Sequence, residues 1–330
     1  MKTPKKILIC GLGSVGRRHL RLLREDWPSI KIGVLRSGLG QACDEEIFAD
    51  ERFQLPDDSL QWCPDAVIIS SPASIHLQHA LFFASEGIPL LIEKPLGTGL
   101  EDIDQFLKLA AFAKTLPILI GYVLRYDSCL LWLKQRLDEG ALGQVVEADF
   151  HCASWLPEWR PGTDYRSSVS SRSELGGGVL LELSHEIDLA NWLLPKPLQL
   201  SSALFQQSGL LDLDVEDTVI LTATTIGNAS VTLRLNFCTQ PVRRSVIIRG
   251  NQGELSCDIV QSKAQLRGSD GSFNQFLNHT IPDMCYKQQL QHFMACIERR
   301  EAPICNVADG LDVLKLVQEA RMLSQEANAT

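Results

Sequence analysis

The chain alternates short, continuously apolar runs with longer stretches whose apolar residues recur at helical spacing. In the first third the apolar runs fall at 6–10, 31–35, 66–70, 90–92 and 118–120. Val67, Ile68 and Ile69 leave no polar alternate position, as expected of a parallel strand covered on both faces. Between these runs, 16–24 and 74–86 carry a helical period, the second placing Leu77, Ala80, Leu81 and Ala84 on one face. Thr98 and Glu101 have capping-box spacing, which predicts a helix starting there with Ile103, Phe106, Leu107 and Ala110 turned inward. Strand and helix in alternation predict an α/β fold, with a doubly wound parallel sheet over 1–122.

Beyond residue 123 the pattern changes. A helix over about 127–139 is stopped by Gly140. Val146, Ala148, Phe150 and Cys152 then alternate with Glu147, Asp149 and His151, the signature of a half-buried antiparallel strand. Residues 157–174 are polar and aperiodic, which marks a functional loop or a disordered segment. Gly176-Gly177-Gly178 leads into one helical run through Leu194. Strands at about 198–208, 215–226, 229–238, 244–250 and 253–259 predict an antiparallel meander, with a tight turn at Gly227-Asn228. Two helices, about 283–300 and 308–325, close a second, α+β domain over 123–330.

Composition narrows the class. A length of 330 residues suits two domains, and 45% hydrophobic with 22% charged residues is an ordinary soluble balance. A net charge of −9 excludes a broadly basic nucleic-acid or anionic-membrane binder. No run of 18 apolar residues predicts a membrane span. The apolar stretch after Lys5 and Lys6 is too short for a signal peptide and runs directly into a glycine motif, so it reads as a first strand. The ten cysteines form no Cys-x-x-Cys pair and are expected as reduced, buried thiols of a cytosolic protein. The sequons at Asn228, Asn278 and Asn328 would be idle there.

Candidate chemistry sits at the strand ends. Gly11-Leu12-Gly13-Ser14-Val15-Gly16 follows an apolar strand and opens a helix, the flanks that a dinucleotide-binding turn requires. Gly11 would permit the turn, Gly13 the approach of a pyrophosphate, and Gly16 the close packing of helix on strand. The N–H groups of Ser14 and Val15 would face the anion. The competing reading is a tight strand–helix turn without a ligand. The next strand ends in Arg36 and Ser37 rather than an acid, which favours NADP slightly over NAD. Alternatively Arg36 stacks on the adenine or is solvated. Ser71, Pro72 and His76 would line the same crevice. His76 and His79 share a helix face, but no carboxylate or cysteine at suitable spacing accompanies them, so no metal is expected.

Glu93-Lys94-Pro95 ends a buried strand and aims a lysine into that crevice. Desolvation, or a positively charged nicotinamide nearby, would depress its pKa and suit Lys94 to proton relay. Alternatively it binds a ribose or substrate hydroxyl without proton transfer. Glu93 would orient Lys94 or fold back to the cofactor. Farther on, Glu182, His185, Glu186 and Asp188 fall on the predicted helical run, and three-residue spacing puts His185 beside acids that would suit it to acid–base work. The bland alternative is a histidine capped by local acids.

Taken in order, these residues resemble the glucose–fructose oxidoreductase, inositol dehydrogenase and MocA family. The resemblance runs from Gly11–Gly16 with His19 behind it, through Ser71 to His76 and Glu93-Lys94-Pro95, to Gly121-Tyr122-Val123-Leu124-Arg125-Tyr126 and the stretch from Gly176 to Asp188. It implies a Rossmann domain followed by a domain with a large, open, mostly antiparallel sheet that often forms the contact of a homo-oligomer. It also implies hydride transfer between NAD(P) and a sugar, polyol or related carbonyl compound. The relay would fall to Lys94, helped by His185, and the Lys94–Pro95 peptide would be cis. Members often carry an Asp four residues before the histidine. Here that position is Leu181, and the acid is Glu182, three before. The segment from Trp159 to Arg166 resembles members found with bacterial surface-sugar biosynthesis. Arg160, Tyr165 and Arg166, with Arg172, would hold an acidic or nucleotide-linked sugar, and Arg125 and Tyr126 would add substrate contacts. The alternative is a mobile loop with solvated arginines. The displaced acid leaves a rival reading, a cofactor-binding regulator or pathway partner that has lost turnover. A methyltransferase-like use of the glycine turn leaves the lysine and histidine motifs unexplained.

Overall fold

The structure is a computed structural model that describes residues 3–38, 43–101, 103–160, 162–279 and 281–329, with backbone only at residues 175 and 327–329. Pro161 and the side chain of Asn328 therefore lie outside the described residues. In chain order the strands are β1 (Lys6–Cys10), β2 (Lys31–Leu35), β3 (Glu51–Phe53), β4 (Ala66–Ile69), β5 (Leu90–Glu93), β6 (Ile118–Gly121), β7 (Val145–Trp155), β8 (Gln199–Gln206), β9 (Thr218–Thr224), β10 (Ser230–Asn236), β11 (Cys238–Gly250), β12 (Gly253–Asp258), β13 (Lys263–Gly268) and β14 (Phe273–Leu277). The helices are α1 (Ser14–Asp26), α2 (Pro56–Gln61), α3 (His76–Ser85), α4 (Ile103–Phe112), α5 (Ser128–Asp138), α6 (Val179–Glu182), α7 (His185–Leu193), α8 (Pro282–Ile297) and α9 (Val307–Ala329).

Two compact units emerge. The first is Met1–Val123 with Ile281–Leu311, and the second is Leu124–Thr280 with Asp312–Thr330. A single cut after residue 122 thus misses the return of the chain, which gives α8 to the first unit.

The first unit holds a six-stranded parallel sheet in the order β3-β2-β1-β4-β5-β6. Strand order reverses between β1 and β4, where Ile9 lies opposite Val34 on one side and Ile68 on the other. A crevice opens at such a switch point, outside the carboxyl ends of the strands. The central strands are fully interior, Ile7, Leu8, Ile9, Val67, Ile68, Leu91 and Ile92 having no exposed surface. That follows from their unbroken apolar sequence. On α1 the sequence turns His19, Leu20, Leu22 and Leu23 inward and leaves Arg17 and Arg21 outside.

The second unit is built on an eight-stranded sheet, β14-β13-β12-β11-β7-β10-β9-β8. Every neighbour is antiparallel except β7 and β10, which run parallel, so the expected simple meander is a mixed sheet. The inner face is the apolar half of the alternation, including Ala148, Phe150, Val219, Leu221, Val231, Leu233 and Val246. Helix α5 packs on β12 and β13, α6 on β9 and β10, and α7 on β7. Asp127 caps α5 by accepting from the N–H groups of Cys129 and Leu130.

Some elements depart from the sequence pattern. The predicted run over 178–194 is two helices, α6 and α7, parted at Leu183-Ser184. Helix α4 starts at Ile103 rather than behind Thr98. Among the described residues of 157–174 the chain forms single 3-10 turns, Leu156–Glu158, Tyr165–Ser167, Val169–Ser171 and Ser173–Leu175, beside buried serines. Ser171 Oγ reaches the carbonyls of Tyr165, Arg166 and Ser168 at 2.8–3.0 Å. Strands β3 and β13 carry little apolar sequence, and β14 leaves its apolar Phe273 and Leu277 exposed, so these strands rest on pairing with their neighbours. All ten cysteines are free, as expected, but Cys63 is exposed and Cys43 and Cys238 are half-buried. Among the described residues no helix is long and apolar enough to cross a membrane.

Asp50 fastens the outer strands. Its carboxylate accepts from the Ile32 N–H at 2.8 Å, Arg24 Nη2 at 2.7 Å and Lys31 Nζ at 3.2 Å. Burial raises its pKa, but these donors outweigh burial and hold it at about 2. The folded value lies below the unfolded one, so the stabilisation is complete above about pH 4 and lost as pH falls toward 2. Asp50→Asn is expected to cost about 1 kcal/mol of unfolding free energy at pH 7 once solvent screening of this exposed carboxylate is allowed for, with the difference from wild type shrinking below pH 4. Urea unfolding across that range measures it, and a pH-independent difference would contradict the assignment.

Candidate functional site

The glycine turn is shaped by two different demands. Gly11 has φ +90°, and a Cβ there would lie 2.7 Å from Ser70 O and 2.8 Å from Ser71 N. A Cβ on Gly16 would collide with Gly11 O and come within 2.6 Å of Ser70 Oγ. The fold itself therefore requires both glycines, and Ser70 Oγ locks the turn by donating to Gly11 O at 2.9 Å. Gly13 differs. A Cβ there meets nothing within 4 Å, and the residue has ordinary negative φ. Among the described residues no packing calls for glycine at Gly13, whereas a pyrophosphate approaching the backbone would.

The helix start agrees with that reading. Gly13 is the N-cap of α1, offers no side-chain cap, and is followed by no acid in the first turn. The orphan N–H groups and the positive end of the helix dipole are left for an anion at Ser14 and Val15. The residues present thus fit a dinucleotide phosphate, and a bare structural turn does not explain Gly13.

Three strand ends converge beside this turn. His76, buried at the start of α3, places Nε2 2.7 Å from Ser71 O and Nδ1 2.8 Å from Pro95 O. It couples the turn after β4 to the turn after β5. Burial draws its pKa below the ordinary histidine value, against both carbonyls and Glu93, which raise it. His79 is also lowered by burial and meets Ser71 Oγ at 3.1 Å. Pro72 is exposed on the same turn. Lys94 is half-buried at the end of β5, and the Lys94–Pro95 peptide is cis.

Glu93 is engaged by a residue of α1. Its Oε1 accepts a 2.7 Å hydrogen bond from His19 Nε2, and the pair is almost wholly buried. A Cβ on Gly121 would sit 2.8 Å from Glu93 Oε2, so the end of β6 makes room for the carboxylate. The role of His19 was hidden in the sequence. Its only local signal was a histidine on the inner, otherwise leucine-rich face of α1.

Arg36 is ion-paired with Glu46, which also lies 3.8 Å from Arg52. Ser37 is exposed. The strand end that suggested a phosphate receptor therefore presents an arginine paired with an acid.

In the second unit the predicted acids are already engaged. Arg125 donates from Nε and Nη2 to Asp188 at 3.0 and 2.6 Å, with both side chains buried, and stacks over Trp192. Glu186 binds Arg244 Nε at 2.6 Å. The acids following His185 in sequence thus serve ion pairs with Arg125 and Arg244. Tyr126 is buried as well. Glu182 ends α6 and His185 begins α7, both half-buried, so helical spacing does not relate them. Arg166 forks onto Asp164, Arg172 Nε donates to Arg166 O, Arg160 lies 3.4 Å from Ser170 Oγ, and Tyr165 OH accepts from the Asp212 N–H. Among the described residues no three His, Cys, Asp or Glu side chains gather as metal ligands.

The chain was compared with known proteins. Residues 5–120 match the family described as "Oxidoreductase family, NAD-binding Rossmann fold", and residues 130–256 match "GFO/IDH/MocA C-terminal domain". The chain is 22% identical over 276 residues to 2,7-anhydro-N-acetylneuraminate hydratase of Mediterraneibacter gnavus, covering 82% of this chain and 71% of that one. It is 27% identical over 222 residues to inositol 2-dehydrogenase 2 of Saccharopolyspora erythraea, covering 64% of this chain and only 61% of the relative. Its fold is similar to the WlbA dehydrogenase of Chromobacterium violaceum, solved with NADH and UDP-GlcNAcA, at TM-score 0.80 and 18% identity over 99% of this chain and 95% of that one.

The two demands on the glycine turn separate experimentally. Gly16→Ala is expected to lower stability by about 1–3 kcal/mol through overpacking. Gly13→Ala should cost under about 1 kcal/mol yet weaken NAD binding by about tenfold or more. Thermal unfolding and calorimetric titration measure the two effects, and unchanged NAD affinity in Gly13→Ala would remove the phosphate from this turn.

Proposed function

The chain belongs to the GFO/IDH/MocA family of NAD-binding oxidoreductases, and on that premise we propose that it moves a hydride between NAD and a hydroxyl-bearing carbon of a sugar, polyol or sugar derivative. The observation that carries this reading is a half-buried lysine, Lys94, at the carboxyl end of β5 in the same sheet whose β1 leads into the Gly13 turn. The bound nicotinamide would supply the hydride acceptor or donor. Gly11 to Gly16 would hold the phosphates, and Ser71, Pro72 and His76 would wall the crevice. Lys94 would exchange the hydroxyl proton and stabilise the alkoxide that develops as hydride moves. His185 is the second proton-handling group in this proposal, by family resemblance. Glu182 falls out of step with the acid of other members, so His185 is assigned that role without it. The sugar-linked names of the relatives support an acidic or nucleotide-linked substrate, with Arg160, Tyr165 and Arg172 as its candidate contacts.

Lys94→Ala is expected to leave NAD affinity within about threefold while lowering turnover by about 10²–10⁴. Stopped-flow absorbance of the nicotinamide with a panel of uronic, nonulosonic and nucleotide-linked sugars measures this. Undiminished turnover in the variant would reassign the proton transfer. A panel without any turnover, beside firm NAD binding, would favour the regulator instead.

For the cofactor we propose NAD over NADP, reversing the lean that Arg36 and Ser37 suggested. Glu46 pairs with Arg36, and its carboxylate would repel a 2′-phosphate. NAD is expected to bind about tenfold tighter than NADP in calorimetric titration. Tighter binding of NADP would restore the arginine as its receptor.

A further inference from the structure

The carboxylate of Glu93 sits where a charge has a consequence. It closes β5, beside Lys94, at the carboxyl end of the strands, outside which open α/β sheets bind their ligands. It is 5% exposed. Its orientation is fixed from two sides, by His19 Nε2 at 2.7 Å on Oε1 and by the missing Cβ of Gly121 beside Oε2.

The state of the pair follows from hydrogen-bond accounting. His19 has no exposed surface, and its Nδ1 is buried without a partner. Were Glu93 the neutral acid donating to Nε2, the ring proton would sit on Nδ1 as a buried N–H with no acceptor. With the proton on Nε2, donated to the carboxylate, Nδ1 is only a bare lone pair. The second arrangement costs less, because an orphaned buried donor carries a full desolvation penalty. The imidazole is then neutral and the pair retains one negative charge. Tyr286 packs edge-on to His19 with ring centroids 5.4 Å apart, and Arg18 lies over the far part of the same cluster, 4.8 Å from the Tyr286 ring.

We propose that Glu93, held by His19 and seated over Gly121, is an electrostatic positioning residue that makes the crevice favour the oxidised, positively charged nicotinamide over the reduced, neutral one. This rests on the cofactor reading above. NAD+ and NADH differ at the ring by one unit of charge and share the pyrophosphate, the ribose units and the adenine. A fixed carboxylate at the crevice edge therefore acts on the ratio of their affinities. A purely structural Glu93 would act on both affinities alike.

The test measures the dissociation constants of NAD+ and NADH for the full-length protein by calorimetry and by nicotinamide fluorescence. Glu93→Gln preserves shape and removes the charge. Its ratio of Kd for NAD+ to Kd for NADH is expected to rise about three- to tenfold over wild type. His19→Leu removes the donor and leaves a buried carboxylate that takes up a proton more readily, so the ratio should rise in the same direction. His19→Asn, whose amide N–H can donate to Glu93, should return it toward wild type. Parallel weakening of both forms in Glu93→Gln, with the ratio unchanged, overturns the proposal. So does a His19→Leu ratio equal to wild type, should Glu93→Gln fail to fold. Failure of the wild-type protein to bind either form would instead overturn the cofactor reading itself.

Discussion

One buried hydrogen bond, from His19 Nε2 to Glu93 Oε1 at 2.7 Å, joins the helix that opens the glycine turn to the strand that carries Lys94. Helix α1 and strand β5 are not neighbours in sequence, and in the sheet β4 lies between β5 and β1. The contact therefore ties the helix behind the glycine turn to the strand end that leads into Lys94, across the switch point. His76 repeats the device one turn away, joining Ser71 O to Pro95 O. Each link is buried, and its loss would strand a polar group in the interior, which is why such pairs fix geometry more firmly than surface contacts do.

The second unit follows the same logic with stronger charges. Arg125–Asp188 and Arg244–Glu186 are ion pairs with at least one nearly inaccessible partner. Breaking a buried pair leaves an uncompensated charge, so these residues hold the start of the unit and helix α7 in one arrangement. Their acids flank His185 in sequence, yet they point their charge at arginines. Proximity along a helix suggested a histidine assisted by acids. Tertiary partners reassigned those acids to structure.

Legibility tracked the kind of signal involved. Strands β1 and β2 were readable to the residue, because a doubly covered strand must be continuously apolar. The glycine turn was readable from its local setting between an apolar strand and a helix, although the clashes that require Gly11 and Gly16 also involve Ser70 and Ser71. Strands β13 and β14 were not, since their apolar residues are few or solvent-exposed, without a buried face to set an alternating pattern, and the hairpin is fixed by pairing with β12. The break between α6 and α7 was missed for a related reason. Leu183 and Ser184 carry no helix breaker, and the interruption accompanies the burial of both residues.

By itself the sequence determined the parallel sheet, its glycine turn, the lysine at the end of β5 and the family, since periodicity and short-range sterics are written locally in residue order. Only the tertiary structure decided what each charged group faces. It gave Glu93 to His19, Arg36 to Glu46, Asp188 to Arg125 and Glu186 to Arg244. Those partners lie between 10 and 74 residues apart, and a charge is assigned by distance in space, which residue order does not encode.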